Sequence, residues 1–173
     1  MKNFLPALVL AALLLGGCHT PDPAPKPPAE VPVAYYNKDY HFTFTLPDSW
    51  RGYYVSLQQW SGETYAPTTG IGMTLVQGPE IILRSPEWTE ANPTQDIPIL
   101  VLTRRQWDDE QEGRFSVFDG GVLFEISHNY QYVFVIWSRY NANESVKGIK
   151  EADDIVQSNQ AANPAPIYPD QRN

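Results

Sequence analysis

Aromatic and threonine side chains alternate along Tyr40-His41-Phe42-Thr43-Phe44-Thr45-Leu46, and a period of two marks a strand with one buried face. Pro47-Asp48-Ser49 supplies the turn chemistry that ends it. Tyr53 to Gln59 and Ile71 to Val76 read as two further strands, with Ser61 to Pro67 as the loop between them. Gly78-Pro79 punctuates again before Ile81-Ile82-Leu83. Ile97-Pro98-Ile99-Leu100-Val101-Leu102 is apolar at every position, which predicts a strand covered on both faces. Pro98 cannot donate a ladder bond and belongs near that strand's start. Phe115–Phe118, Val122–Ile126 and Tyr130–Trp137 are separated by Asp119-Gly120-Gly121 and Ser127-His128-Asn129, so three strands of an antiparallel meander are expected.

The period then changes. Val146, Ile149, Ala152 and Ile155/Val156 recur at three- and four-residue spacing, with Lys147, Lys150, Asp153 and Asp154 turned elsewhere, the signature of a C-terminal amphipathic helix. Asn141 followed three residues later by Glu144 resembles a capping box. A shorter helix is predicted around Arg104 to Glu112 and a helical turn around Pro86 to Ala91. The fold class is therefore α+β: an antiparallel sheet flanked by helices, formed by a single domain over residues 35–159.

The first 34 residues obey a different pattern. Met1-Lys2-Asn3 carries one positive charge, and Phe4 to Leu15 contains no charged residue. Twelve residues are too few for a spanning helix, which needs about 20, but suit the apolar region of a signal peptide. Leu15-Gly16-Gly17-Cys18 resembles the lipobox of bacterial lipoproteins. That resemblance implies a signal peptide over residues 1–17, cleavage between Gly17 and Cys18, and a diacylglycerol on the Cys18 thiol, giving two or three acyl chains such as palmitate. At about 0.8 kcal/mol per buried methylene, several acyl chains anchor the protein firmly. Cys18 is the only cysteine in the chain, which excludes an internal disulfide. His19 stands where an aspartate would favour the inner membrane, so an exported, membrane-anchored protein is expected, at the outer membrane if the source is Gram-negative.

Residues 18–34 contain Pro21, Pro23, Pro25, Pro27, Pro28 and Pro32. Such a tract is a semi-rigid polyproline spacer at about 3.1 Å per residue, reaching about 40 Å. Residues 160–173 return to proline and polar side chains and read as a flexible tail. The charge is −8 and becomes −9 once Lys2 is removed, with eleven basic against twenty acidic residues. This argues against nucleic acid and against adhesion to anionic lipid by charge. The membrane contact is expected through the lipid alone.

An aromatic strand running into Leu-Pro-x-x-Trp, here Tyr40 through Leu46-Pro47-Asp48-Ser49-Trp50-Arg51-Gly52-Tyr53, together with a closing helix over Glu144 to Gln157, resembles the PsbP-like fold of small bacterial lipoproteins. The segments Gly78-Pro79 through Pro86-Glu87-Trp88-Thr89-Glu90 and Gln95-Asp96-Ile97-Pro98-Ile99 look like uncharacterised bacterial relatives. The resemblance implies a non-catalytic domain that binds or helps assemble other proteins, with an envelope protein as partner.

A hydrolase, with a carboxylate converging on His41 or His128, is the least favoured alternative. His19, His41 and His128 do not stand at zinc-ligand spacing, and no metal or cofactor is expected. A Gly-x-Ser-x-Gly elbow is absent from the sequence. Asp108, Asp109, Glu110 and Glu112 lack the alternating ligands and central glycine of a calcium loop, and Gly70-Ile71-Gly72 and Gly120-Gly121 lack the context of a phosphate cradle. The most suggestive feature is aromatic: Trp50, Tyr53, Tyr54, Trp60 and Tyr65 fall within sixteen residues. Tyr54, Trp60 and Tyr65 are the candidate interaction surface, for a protein or, alternatively, a cell-wall glycan. The competing expectation is that these rings pack beneath helices.

Overall fold

The computed structural model describes residues 32–65, 73–118, 121–140, 143 and 145–162. The signal peptide, the lipobox with Gly17 and Cys18, the proline tract to residue 31, the Asn141/Glu144 capping box and the tail from residue 163 lie outside the described residues. The fold is α+β, with a six-stranded antiparallel sheet that curls into a half-barrel, a two-stranded hairpin and two helices.

The hairpin comprises β1 (Val33–Asn37) and β2 (Phe42–Leu46), paired from Val33↔Leu46 to Asn37↔Phe42. The alternation read from the sequence is the alternation seen: Phe42, Phe44 and Leu46 are buried, and Thr43 and Thr45 are exposed. Its partner β1 alternates in burial about Tyr35 although its sequence does not alternate, and Val33 and Ala34 belong to it although they read as spacer. His41 sits in the connecting turn with φ of 50°, ahead of the strand on whose polar face it was expected.

Sheet order is β6-β3-β4-β5-β8-β7, from β3 (Tyr54–Tyr65), β4 (Met73–Arg84), β5 (Ile97–Thr103), β6 (Phe115–Val117), β7 (Leu123–His128) and β8 (Tyr132–Trp137). The expected loop at Ser61 and the expected break at Gly78-Pro79 are both inside one long hairpin, where Trp60 pairs with Gly78 and Gln59 with Pro79. Gly78 is required there by contact: a Cβ on it would overlap the six-membered ring of the Trp60 indole. The β4–β5 ladder ends at Glu80↔Leu100, just before Pro79, which has no N–H to offer. Trp60 reaches across Gly78 and its Nε1–H donates to the carbonyl of Val101 at 3.1 Å. Pro98, in turn, precedes Leu100, the first β5 residue paired with β8.

The expected three-strand meander is overturned in one respect. β7 and β8 form the hairpin, but β6 pairs with β3 through Gly62↔Val117. Gly62 permits the approach, since a Cβ on it would stand 2.5 Å from the Ser116 carbonyl oxygen. β6 and β7 are thus opposite edges of the sheet, yet only residues 118–122 join them. Six chain steps span at most about 22 Å, whereas the edges of a flat six-stranded sheet would stand about 24 Å apart. The connection therefore demands curl. Phe115, Val117 and Leu123 share one buried cluster, as convergence of the edges requires.

Between β5 and β6, α1 (Arg104–Gln111) starts at a capping box: Gln106 N–H donates to Thr103 Oγ1 at 3.2 Å, and Thr103 N–H to Gln106 Oε1 at 2.8 Å. The expected helical turn near Pro86 is only a tight turn at residues 86–87. The C-terminal helix, α2 (Ile149–Ala162), begins after Val146 because Lys147 is engaged in a parallel bridge with Thr94 and Gly148 takes φ of 87°. It runs past residue 159 and buries Ala152, Ile155 and Val156 as its periodicity predicts.

Two buried clusters flank the sheet. One combines Phe42, Phe44, Leu46 and Trp50 with Ile81, Leu83, Ile97, Ile99, Phe134, Ile136 and α2. The other joins Trp60, Leu100, Leu102, Val133 and Val135 to Phe115 and Val117, with Trp107 of α1 packed on it. Residues 99 to 102 of β5 are buried throughout, so this strand is covered on both faces. Consecutive amides near the end of α2 hold two strand edges. Asn159 accepts from Thr45 N–H at 2.8 Å and donates to Thr45 O at 2.9 Å, while Gln160 donates to Glu125 O of β7 at 3.0 Å. Such capping blunts edges that would otherwise invite pairing. Among the described residues, no helix is long and apolar enough to cross a membrane.

Candidate functional site

The three rings picked out in the sequence do not form one surface. Trp60 is 4% exposed and committed to the core. Tyr65 is partly buried, its hydroxyl donating to Glu63 Oε1 at 2.5 Å. Tyr54 and Tyr65 are the two ends of β3, eleven residues and therefore about 36 Å apart along the strand. An odd separation also sends them to opposite faces.

Tyr54 alone remains outward, 60% exposed. Its neighbour is supplied by the register: Tyr54 pairs with Arg84, and directly opposed residues project from the same face. The Arg84 guanidinium stands 4.0 Å from the ring centroid of Trp88, a cation–π contact. Its Nε donates to Asp96 Oδ1 at 3.0 Å and its Nη2 to Asp96 Oδ2 at 2.6 Å. Donation of these hydrogen bonds to Asp96 holds the guanidinium pKa above its ordinary value. Tyr54, Val55, Ser56, Arg84 and Trp88 line an open groove of about 430 Å³. Trp88 figures in the sequence only within the segment that resembles bacterial relatives and not as a site residue, because only the β3–β4 pairing brings it beside Tyr54.

The same register continues along the face as Ser56↔Ile82 and Gln58↔Glu80 before Gly78 and its buried partner Trp60. Burial pushes the Glu80 carboxyl above the usual carboxylate range. At the alternate positions of β3, Val55, which also borders the groove, is 43% and Leu57 70% exposed, although their cross-strand partners Leu83 and Ile81 are fully buried.

A second arrangement had no signature in the sequence. Residues three apart on a regular strand face opposite ways, yet Glu125 Oε1 and His128 Nδ1 approach to 2.5 Å. The register shift between Glu125 and Ser127 turns His128 back to the face of Glu125. No hydroxyl bonds to His128 among the described residues, so the pair lacks the nucleophile of a triad. His41 is exposed. No group of three or more metal-ligating side chains occurs among the described residues.

A small cavity of about 70 Å³ is lined by Trp50, Ser85, Glu87, Thr94, Gln95, Lys147, Gly148 and Glu151, at the start of α2. Trp50 Nε1 and Thr94 Oγ1, both buried, have no partner in it. At its rim Lys147 bonds Glu87 at 2.7 Å, which lowers the Glu87 pKa and raises that of Lys147.

The chain matches no protein-family model, and neither a curated protein nor a solved structure is significantly similar to it.

Proposed function

We propose that this protein is an exported lipoprotein, held to a bacterial membrane through acyl chains on Cys18, whose domain is a non-catalytic module that binds or helps assemble another envelope protein. The lipobox-like Leu15-Gly16-Gly17-Cys18 after an uncharged apolar stretch supports the anchor, and the proline tract gives the domain reach. The PsbP-like assignment is supported by β2 leading through Leu46-Pro47 to the buried Trp50, and by the closing helix on an antiparallel sheet.

One observation carries the binding role. Val55 and Leu57 project side by side from β3 on the face where Leu83 and Ile81 enter the core. Large aliphatic side chains left outward beside a filled core are the material of a protein contact.

The test uses the full-length lipidated chain, crosslinked in membranes and recovered by an affinity tag. One envelope protein is expected to be enriched, and Leu57→Asp is expected to lose it while the domain still folds. Cys18→Ala is expected to abolish lipid labelling and release the protein from membranes. Capture of the same proteins by wild type and Leu57→Asp would overturn the binding surface; membrane retention of Cys18→Ala would overturn the anchor.

A further inference from the structure

We propose that the groove of Tyr54, Val55, Ser56, Arg84 and Trp88, whose lining does not include Leu57, binds an uncharged carbohydrate. Val55 borders both this groove and the protein contact; the exposed Tyr54 ring and the pinned Arg84 that carry the proposal take no part in that contact.

The groove offers the two things a sugar ring needs. Its C–H face stacks on an aromatic plane, and Tyr54 provides one that is 60% exposed. Its hydroxyls need donors and acceptors fixed in space. Arg84 is pinned from two sides, by the Trp88 ring at 4.0 Å and by the Asp96 carboxylate, which takes its Nε and Nη2. Neither contact uses Nη1, which bonds to nothing among the described residues. A guanidinium held in this way presents donors without losing side-chain entropy on binding. Ser56 lines the same groove with a hydroxyl.

Charge selects the ligand. Asp96 neutralises Arg84, and Tyr54, Val55, Ser56 and Trp88 carry no charge, so the groove is locally neutral. The surrounding chain is strongly acidic at −8. A polyanionic glycan is repelled by that field and finds no unspent cation; a basic peptide finds no free carboxylate in the groove. An uncharged saccharide meets neither penalty. The volume, about 430 Å³, is within the range of small-ligand sites.

The experiment titrates the full-length chain in detergent by calorimetry with cellotetraose, maltotetraose and chitotetraose as neutral probes. Polygalacturonate serves as the anionic probe and a proline decapeptide as the peptide that also favours aromatic grooves. Saturable binding of a neutral tetrasaccharide is expected, at least about tenfold weaker in Tyr54→Ala, retained in Tyr54→Phe and unchanged in Leu57→Asp. Tyr54 is outward, so its replacement leaves the fold intact, which thermal unfolding verifies. Binding of none of the three saccharides, preference for the anionic probe or the peptide, or saccharide binding indifferent to Tyr54→Ala would each overturn the proposal. Because Leu57 does not line the groove and Tyr54 is not part of the protein contact, failure here leaves the protein-binding reading standing, and the reverse.

Discussion

The indole of Trp60 occupies the space that any side chain on Gly78 would need, and it crosses β4 at that glycine to hydrogen-bond the Val101 carbonyl on β5. Three strands are tied together at one point by a ring and a missing Cβ. This pairing also explains why an exposed aromatic platform cannot include Trp60.

Gly78→Ala therefore forces the indole out of its place. Overpacking of this kind costs about 1–3 kcal/mol, and loss of the bond to Val101 leaves a buried carbonyl unmet, adding about 1–3 kcal/mol. The expected result is a lower midpoint in urea unfolding with an unchanged slope, and a shift in tryptophan emission. An unaltered midpoint would show that the ring can move without cost.

Asn159 serves both backbone groups of Thr45 and also donates to Ile155 O at 2.9 Å. Asn159→Ala should destabilise by about 2–3 kcal/mol, because the amide is buried and its partners lose their bonds. Gln160→Ala, which removes a single bond to Glu125 O, should cost about 1 kcal/mol. Hydrogen exchange distinguishes them: protection of the Thr45 amide falls in the first variant and is retained in the second.

Glu80 supplies a pH dependence of defined sign. Burial raises its pKa in the folded state above the unfolded value. Between those two values the folded chain binds more protons than the unfolded one, so stability declines as pH rises through that interval. Its penalty is complete above the folded value and absent below the unfolded one. Glu80→Gln should raise the melting temperature at neutral pH and flatten that decline, leaving acid stability nearly unchanged. Melting curves of both proteins across the carboxylate range check it; parallel curves would remove Glu80 as the source.

Much of the fold was legible locally. The alternation in β2, the apolar run of β5, the short helix around Arg104 and the periodicity of α2 are each consequences of neighbours within a few residues, and all four describe the structure. The signal-like segment and Cys18 are also local patterns, and they carry the proposed address without reference to any tertiary contact. Legibility failed where a residue's meaning came from a distant partner. Gly78-Pro79 has the composition of a turn, but the Trp60 ring converts it into a crossing point within a strand. β6 follows α1 and precedes β7, yet Gly62 lets it pair with β3 instead.

The candidate site divides in the same way. Tyr54 was visible as one of several clustered rings, and the choice among them was made by burial, which depends on which face of the curled sheet each ring takes. Trp88 and the pinned Arg84 enter only through the twelve-residue β3–β4 register, and the Glu125–His128 pair only through a one-residue slip that reverses a side chain's direction. Sequence by itself determined the elements with a period, because periodicity is set by backbone geometry along the chain. Tertiary structure alone decided strand order, the curl and the company each aromatic keeps, because those depend on pairings between residues tens of positions apart.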